Sequence, residues 1–143
     1  MAKLPLHVVF HQDIRLMVFR PRGILGEDRV NTIVEFLDKE EVRAAKPFDR
    51  FCDLSKLDAI DLDFQFVFRI ALYRRLVYAE RPPIKSAFYV TSQATERVVK
   101  IHAVLTERSA IDVQIFKDMA EAAKWLGTSV ETLAIDASDI KGS

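Results

Sequence analysis

The apolar positions of this chain form short runs and longer periodic segments that alternate along its length. Two short runs come first, at residues 6–10 and 14–19, and the polar residues between them suit the turn of an antiparallel hairpin. Segments with helical spacing then alternate with further short apolar runs. The pattern predicts the element order ββαβαβαβα.

Proline, glycine and capping residues set the expected boundaries of the later elements. Pro47 ends the first helix, Pro82 ends the second, and Gly127 closes the last amphipathic helix. Asp61 or Asp63 can cap the second helix, and residues 55–60 before it read as a polar connection. We expect helices at 27–46, 61–80, 93–106 and 118–127, and strands at 48–54, 84–90 and 111–116.

This order predicts an α/β fold with a single-layer, mixed, mostly parallel sheet of about five strands. The helices should pack mainly on one face, and the first strand should lie antiparallel at an edge. We expect a single domain over residues 1–134, followed by a loose C-terminal tail over 135–143.

The predicted helix over 61–80 is apolar almost all round. Its two apolar stripes are Phe66, Ile70, Tyr73 and Val77 on the expected sheet side, and Phe68, Leu72, Leu76 and Ala79 on the far side. Three arginines, at 69, 74 and 75, are the positive breaks. A surface helix normally keeps its far side polar, so something should cover this one. Neighbouring helices, a second copy of the chain, or an apolar pocket beneath a mobile helix are all open.

Composition excludes several classes of protein. Of the 143 residues, 21 are Lys or Arg and 21 are Asp or Glu, and this zero net charge argues against a nucleic-acid-binding domain. The chain shows neither a signal peptide nor an apolar run of membrane-spanning length, so a cytoplasmic protein is expected. The lone Cys52 excludes an intrachain disulfide and reads as a buried, inert thiol.

Candidate chemistry is sparse. The chain has no phosphate-binding loop and no Gly-x-Ser-x-Gly motif. Asp53, Asp58, Asp61 and Asp63 could hold Mg²⁺ if several of them converged, but turn and capping roles explain them better. We therefore predict no catalytic residue, no cofactor and no metal ligand, and expect that the protein is not an enzyme.

Two segments resemble a known family. A strand ending in Asp53-Leu54-Ser55, followed by Ile60-Asp61 and a helix, resembles the anti-sigma-factor antagonist (STAS) domain. The run IDVQIFKDMAEAAKWL, at residues 111–126, is similar to the SpoIIAA-like branch of the STAS/Sec14 group. The resemblance extends from about His7 to Leu126 and implies the SpoIIAA-like fold.

The resemblance also implies a function. STAS domains are typically not enzymes but bind partner proteins, and a kinase phosphorylates a serine at the start of the central helix in the best understood ones. Here that position falls on Asp63 and the motif's glycine is Phe64, so the serine switch is not expected.

We therefore expect a non-catalytic protein-interaction or regulatory module whose partner is another protein or a second copy of the chain. The candidate partner-binding residues are Ser55, Asp58, Asp61, Asp63, Phe64, Phe68 and Leu72. The alternative, by analogy with the Sec14 branch, is a binding protein for a lipid or other apolar small molecule under helix 61–80.

Overall fold

The computed structural model describes residues 3–140, with side chains through residue 138. Its strands are β1 (Val8–His11), β2 (Leu16–Phe19), β3 (Gly23–Gly26), β4 (Asp49–Asp53), β5 (Leu57–Asp61), β6 (Ile84–Tyr89) and β7 (Ile111–Phe116). Its helices are α1 (Glu27–Ala44), α2 (Phe64–Val77), α3 (Gln93–Leu105), α4 (Met119–Leu126), α5 (Val130–Ala134) and α6 (Ala137–Ile140).

Five of these strands form the main sheet, in the order β1-β2-β4-β6-β7. The β1–β2 pair is antiparallel, and the other three pairs are parallel. The parallel pairs are joined by crossovers that contain α1, α2 and α3, as expected for alternating strands and helices. The predicted five-stranded, mostly parallel sheet with an antiparallel first strand at its edge is confirmed.

A second, two-stranded sheet joins β3 and β5 in parallel, with Gly26 opposite Asp61. The prediction that residues 55–60 form only a polar connection is therefore wrong. Leu57 and Ile60 pack against the core on either side of an exposed Asp58, so β5 lacks the regular alternation that marks a strand in sequence. Pairing with β3 supplies the backbone hydrogen bonds of this segment.

Both faces of the main sheet are covered. Phe19, Cys52 and Phe88 are partners in the strand register and lie on the face toward α1, α2 and α3. The strand residues next to them, Val18, Phe51 and Ala87, point to the opposite face. There they form a core cluster with Ala122 and Ala123 of α4 and Leu133 of α5. The three long helices thus share one face, as predicted, while the short helices close the other.

The central helix α2 is shorter than the predicted 61–80. Asp63 is its N-cap, and Asp61 still belongs to β5, so the helix cannot begin earlier. Tyr78 is its C-cap, and the chain turns before it reaches Pro82. Within residues 3–140, no helix has both the length and the apolar character needed to cross a bilayer.

The first residues of the C-terminal segment contact the domain. The guanidinium of Arg20 donates to the carbonyl oxygens of Leu133 and Ile135, the latter at 3.1 Å. Arg22 pairs with Asp136 at 2.6 Å, and Ile135 and Ala137 pack against the core cluster under α4. These contacts fix residues 133–137 to the domain, whereas residues 141–143 lie outside the described part of the chain.

A buried ion pair connects β2, β4 and α5. Arg20 Nε donates to Asp53 Oδ2 at 2.8 Å, and both side chains are almost fully buried. The other oxygen, Asp53 Oδ1, accepts from the Ser55 backbone N–H at 2.9 Å and from the Ser55 hydroxyl at 2.5 Å. Both carboxylate oxygens are thus hydrogen-bonded, as a buried charge requires.

Replacement of Asp53 tests this pair. We expect Asp53→Ala to lower the free energy of unfolding by about 3–5 kcal/mol, because it leaves the buried Arg20 guanidinium without its counter-charge. Urea unfolding monitored by circular dichroism measures the change.

Lys39→Met is the matched control, because it breaks the exposed pair of Lys39 with Glu35 and should change stability by less than about 1 kcal/mol. Equal effects of the two substitutions would contradict the assigned role of Asp53.

Candidate functional site

The orientation of α2 differs from the one expected from its apolar stripes. The helix buries Phe66, Val67, Ala71 and Arg74. Tyr73, which was predicted to face the sheet, is exposed, and its hydroxyl donates to Asp38 on α1. The buried positions 67, 71 and 74 follow helical spacing, so Arg74 lies on the inward face although it was interpreted as a break between stripes.

An apolar cavity of about 110 Å³ lies beneath this helix. Its floor includes Phe19, Cys52 and Phe88 of the main sheet. The surrounding walls come mainly from α1, α2 and α3 and include Ile33, Val34, Phe66, Val67, Ile70 and Val99. A dry cavity of roughly 150 Å³ with walls of this kind can hold benzene, so the space is on the scale of one small ring.

Arg74 is the charged residue in the wall of this cavity. Its side chain is only 9 % exposed, and its guanidinium makes no hydrogen bond or ion pair within the described part of the chain. Burial lowers the pKa of Arg74, and the positive charge of nearby Arg50 lowers it further. An arginine nevertheless stays protonated in a protein, so a cation stands at an apolar cavity.

His102 on α3 is a second polar group in the cavity wall. Burial lowers its pKa to about 3, and the charges of Arg74 and Arg50 contribute, so the imidazole is neutral at physiological pH. Its Nδ1 atom is buried and has no hydrogen-bond partner, and its ring lies 6.0 Å from that of Phe88.

Arg50 and Glu41 form a buried ion pair close to these groups. Arg50 Nη2 donates to Glu41 Oε1 at 2.9 Å and to the Tyr78 hydroxyl at 2.6 Å, and the Tyr78 hydroxyl donates to Glu41. Arg81 approaches the same carboxylate at 3.8 Å. Because Glu41 and Arg50 both influence the pKa of Arg74, these charges share one electrostatic environment. Two guanidinium groups, of Arg50 and Arg81, therefore lie close to the Glu41 carboxylate, and Arg74 is within its electrostatic influence.

Two side-chain contacts between α1 and α2 are polar and exposed. The Tyr73 hydroxyl donates to Asp38, and Arg69 lies 3.8 Å from Glu27. Exposed polar contacts of this kind contribute little stability, so these two hold the helices together only weakly.

The four polar residues predicted as a partner-binding site have separate roles. Asp63 caps α2, with its Oδ1 accepting from the Phe66 backbone N–H at 2.7 Å, which confirms the capping interpretation. The Ser55 hydroxyl is bound to Asp53. Asp58 and Asp61 are exposed on β5, and Asp61 shares a shallow surface depression with Asp63.

The three predicted apolar residues are all exposed on α2. Phe64 and Phe68 lie next to each other, with ring centroids 6.2 Å apart, and Leu72 is also exposed. Leu76, at 69 % exposure, continues this surface. The structure thus brings the apolar candidates together on one helix and gives Ser55 a separate structural contact.

Sequence reasoning missed the residues that line the cavity, above all Arg74 and His102. The sequence position of Arg74 was the available signal. Arg74 follows Val67 and Ala71 at helical spacing, and both of these residues are buried. Nothing in the sequence indicated that α1, α2 and α3 leave a space between them, because that space depends on how the helices pack.

Neither a reactive cysteine nor a metal-binding cluster is supported within the described residues. Burial raises the pKa of the Cys52 thiol to about 11, so the thiol is protonated and a weak nucleophile at neutral pH. In the described ranges, no three His, Cys, Asp or Glu side chains converge in a way that could hold a metal ion.

Comparisons with known proteins define the fold. The five-stranded sheet with α1–α3 on one face is SpoIIAA-like. The chain is similar to the crystal structure of an uncharacterized protein of the DUF3478 family with a SpoIIAA-like fold, from Shewanella loihica PV-4. The two are 15% identical, with a TM-score of 0.54 over 88% of this chain and 99% of that chain. No protein-family model matches the sequence, and no curated protein matches it. The resemblance seen in the sequence is therefore confirmed for the fold.

The buried state of His102 predicts a pH dependence of stability. In the unfolded chain this histidine gains a proton below about pH 6.5, whereas in the folded protein it does so only near pH 3. The unfolded state therefore binds more protons between these values, and stability must fall as the pH falls. Between pH 7 and pH 5 we expect His102 to contribute a loss of about 2 kcal/mol.

Urea unfolding of the wild type and of His102→Leu at the two pH values measures this loss. Between pH 7 and pH 5, the unfolding free energy of the variant should fall by about 2 kcal/mol less than that of the wild type. Because the other titrating groups are the same in both proteins, their effect cancels in this comparison. An identical pH dependence for both proteins would show that His102 is not buried in its neutral form.

Proposed function

We propose that the protein is a non-catalytic binding module that holds a small apolar molecule beneath α2. The observation that supports this proposal is the cavity between α1, α2, α3 and the sheet, with its walls of aliphatic and aromatic side chains. Binding pockets for small molecules are concave and mostly apolar, with a few polar groups placed among the apolar ones, and this cavity has that composition.

The size of the cavity narrows the class of ligand. A volume of about 110 Å³ suits a single ring or a short branched chain rather than a long acyl chain. Of the two ligand classes expected from the sequence, a lipid or another apolar small molecule, this volume favours the small molecule.

The non-catalytic part of the proposal follows from the state of the nucleophilic residues. The Cys52 thiol in the cavity floor is protonated. The Ser55 hydroxyl donates to Asp53, whose other oxygen is paired with Arg20, so this carboxylate serves a structural contact.

Benzene binding tests the cavity. We expect benzene to bind the wild type and to shift the amide NMR signals of α2 and β4. Val67→Phe should weaken this binding at least tenfold, because Val67 is buried in the cavity wall and the added ring occupies the space.

Leu76→Phe is the matched control, since it adds a similar ring to the exposed side of the same helix and should leave benzene binding unchanged. Failure of the wild type to bind benzene, or equal binding by the wild type and Val67→Phe, would contradict the proposal.

The interaction module expected from the resemblance stays a second candidate, with a second copy of the chain as the partner. The observation in its favour is the exposed apolar face of α2, which comprises Phe64, Phe68, Leu72 and Leu76. Two copies carry no net charge, so overall electrostatic repulsion does not oppose their association.

Light scattering tests whether two copies of the chain associate. We expect a particle of twice the 16.4 kDa mass of one chain at about 100 μM protein. The double variant Leu72→Ser and Leu76→Ser should return it to the mass of a single chain, because both side chains lie on the exposed face.

Val104→Ser, at an exposed position on α3, is the control for loss of an apolar surface residue elsewhere. A single-chain mass for the wild type at every concentration would rule out the second copy as the partner.

A further inference from the structure

We propose that the molecule bound beneath α2 is a small organic acid, whose carboxylate pairs with Arg74 while its apolar body fills the cavity. This inference rests on the proposed function, since it names the chemical class of the ligand for the same cavity. The geometry behind it is the position of a buried, unpaired guanidinium in an otherwise apolar wall.

The first step is the balance of buried charge. A cation removed from water is costly unless a counter-charge or hydrogen bonds replace its hydration. Within residues 3–140, the Arg74 guanidinium has neither a hydrogen bond nor an ion pair, and its nitrogen atoms keep some accessible surface although the residue is only 9 % exposed. A ligand anion at that surface would supply the missing partner.

Glu41 cannot fill this role, because it is already occupied. Its Oε1 accepts from Arg50 and Tyr78, and its Oε2 accepts from the Phe48 backbone N–H at 3.1 Å. Arg81 is also near this carboxylate, through an Nη1 atom that is buried and makes no hydrogen bond, although its side chain as a whole is 28 % exposed. Glu41 is therefore not available to balance Arg74, and an anionic ligand would do so.

His102 adds a neutral imidazole to the same wall. Its Nδ1 atom has no partner but is inaccessible, so this nitrogen does not face a ligand in the cavity. The ring therefore adds uncharged surface, and Arg74 is the polar group of the lining that an anionic carboxylate can pair with.

The apolar walls decide between a carboxylate and a more highly charged anion. Val67, Ile70 and Val99 provide no hydrogen bonds to a ligand, so only one end of the molecule can be polar. A phosphate would bring more charge and more oxygen atoms than Arg74 can satisfy. A carboxylate on a ring or a short branched chain fits both the volume and the charge.

The test compares three probes of similar body, namely benzoate, neutral benzyl alcohol and benzene, by calorimetry and NMR titration with the full chain. We expect wild type to bind benzoate about 10- to 100-fold more tightly than benzyl alcohol, as a charge-assisted hydrogen bond in a dry site would give. Arg74→Met should abolish this preference and keep benzene binding, because it removes the charge and retains a long apolar side chain. Leu76→Met, on the exposed side of α2, should keep the preference.

The outcomes separate the two proposals. Binding of none of the three probes to wild type would overturn the proposed function together with this inference. Benzene binding without a preference for benzoate over benzyl alcohol would leave the proposed function standing. It would overturn the inference that the ligand is an organic acid. The wild-type comparison tests this point without any substitution.

The ligand-free stability of Arg74→Met provides an independent readout. Removal of an unpaired buried charge should raise the thermal unfolding midpoint relative to wild type, whereas a purely structural arginine would lower it. A lower midpoint would show that Arg74 is paired in the free protein and would overturn the proposal.

Discussion

The geometry of the site depends on the hydrogen bonds to Glu41. This carboxylate, near the end of α1, accepts from Arg50 of β4, from Tyr78 at the end of α2 and from the Phe48 backbone N–H. One buried group thus sets the positions of two helices relative to the sheet. Because partners of a buried charge cannot leave without a large cost, the spacing between α1 and α2 is fixed at this end. The cavity occupies the space between the same two helices.

Two of the three buried arginines within the described residues, Arg20 and Arg74, differ in their surroundings. Arg20 has Asp53 as its counter-charge and donates to the carbonyl oxygen of Ile135, so it is satisfied within the chain. Arg74 lines the cavity without such a partner. Buried polar groups in folded proteins are nearly always paired, and the exceptions concentrate at sites with a functional reason. The burial of Arg20 is explained by its partners within the chain, whereas the burial of Arg74 at the cavity is not.

The position at which the sequence resemblance to STAS domains implies a phosphoserine lies directly before α2. In this chain Asp63 occupies it and caps the helix, with Phe64 and Phe68 exposed in the turns that follow. The two proposed functions therefore use opposite sides of one helix, the inner side for a small molecule and the outer side for a second copy. A shift of α2 would affect both, since its outer contacts with α1, such as that of Tyr73 with Asp38, are exposed and weak.

The sequence by itself determined the α/β class, the hairpin at the edge, the parallel strands and the role of Asp63 as a cap. These features depend on local patterns, namely apolar spacing, proline and glycine breaks, and the reach of one side chain to a nearby N–H. The pairing of β5 with β3, the inward position of Arg74, the contacts of residues 135–137 and the cavity were decided by tertiary structure. Each of these results from packing between segments distant in sequence, and a pattern of single residues does not record which surfaces meet or what space they leave.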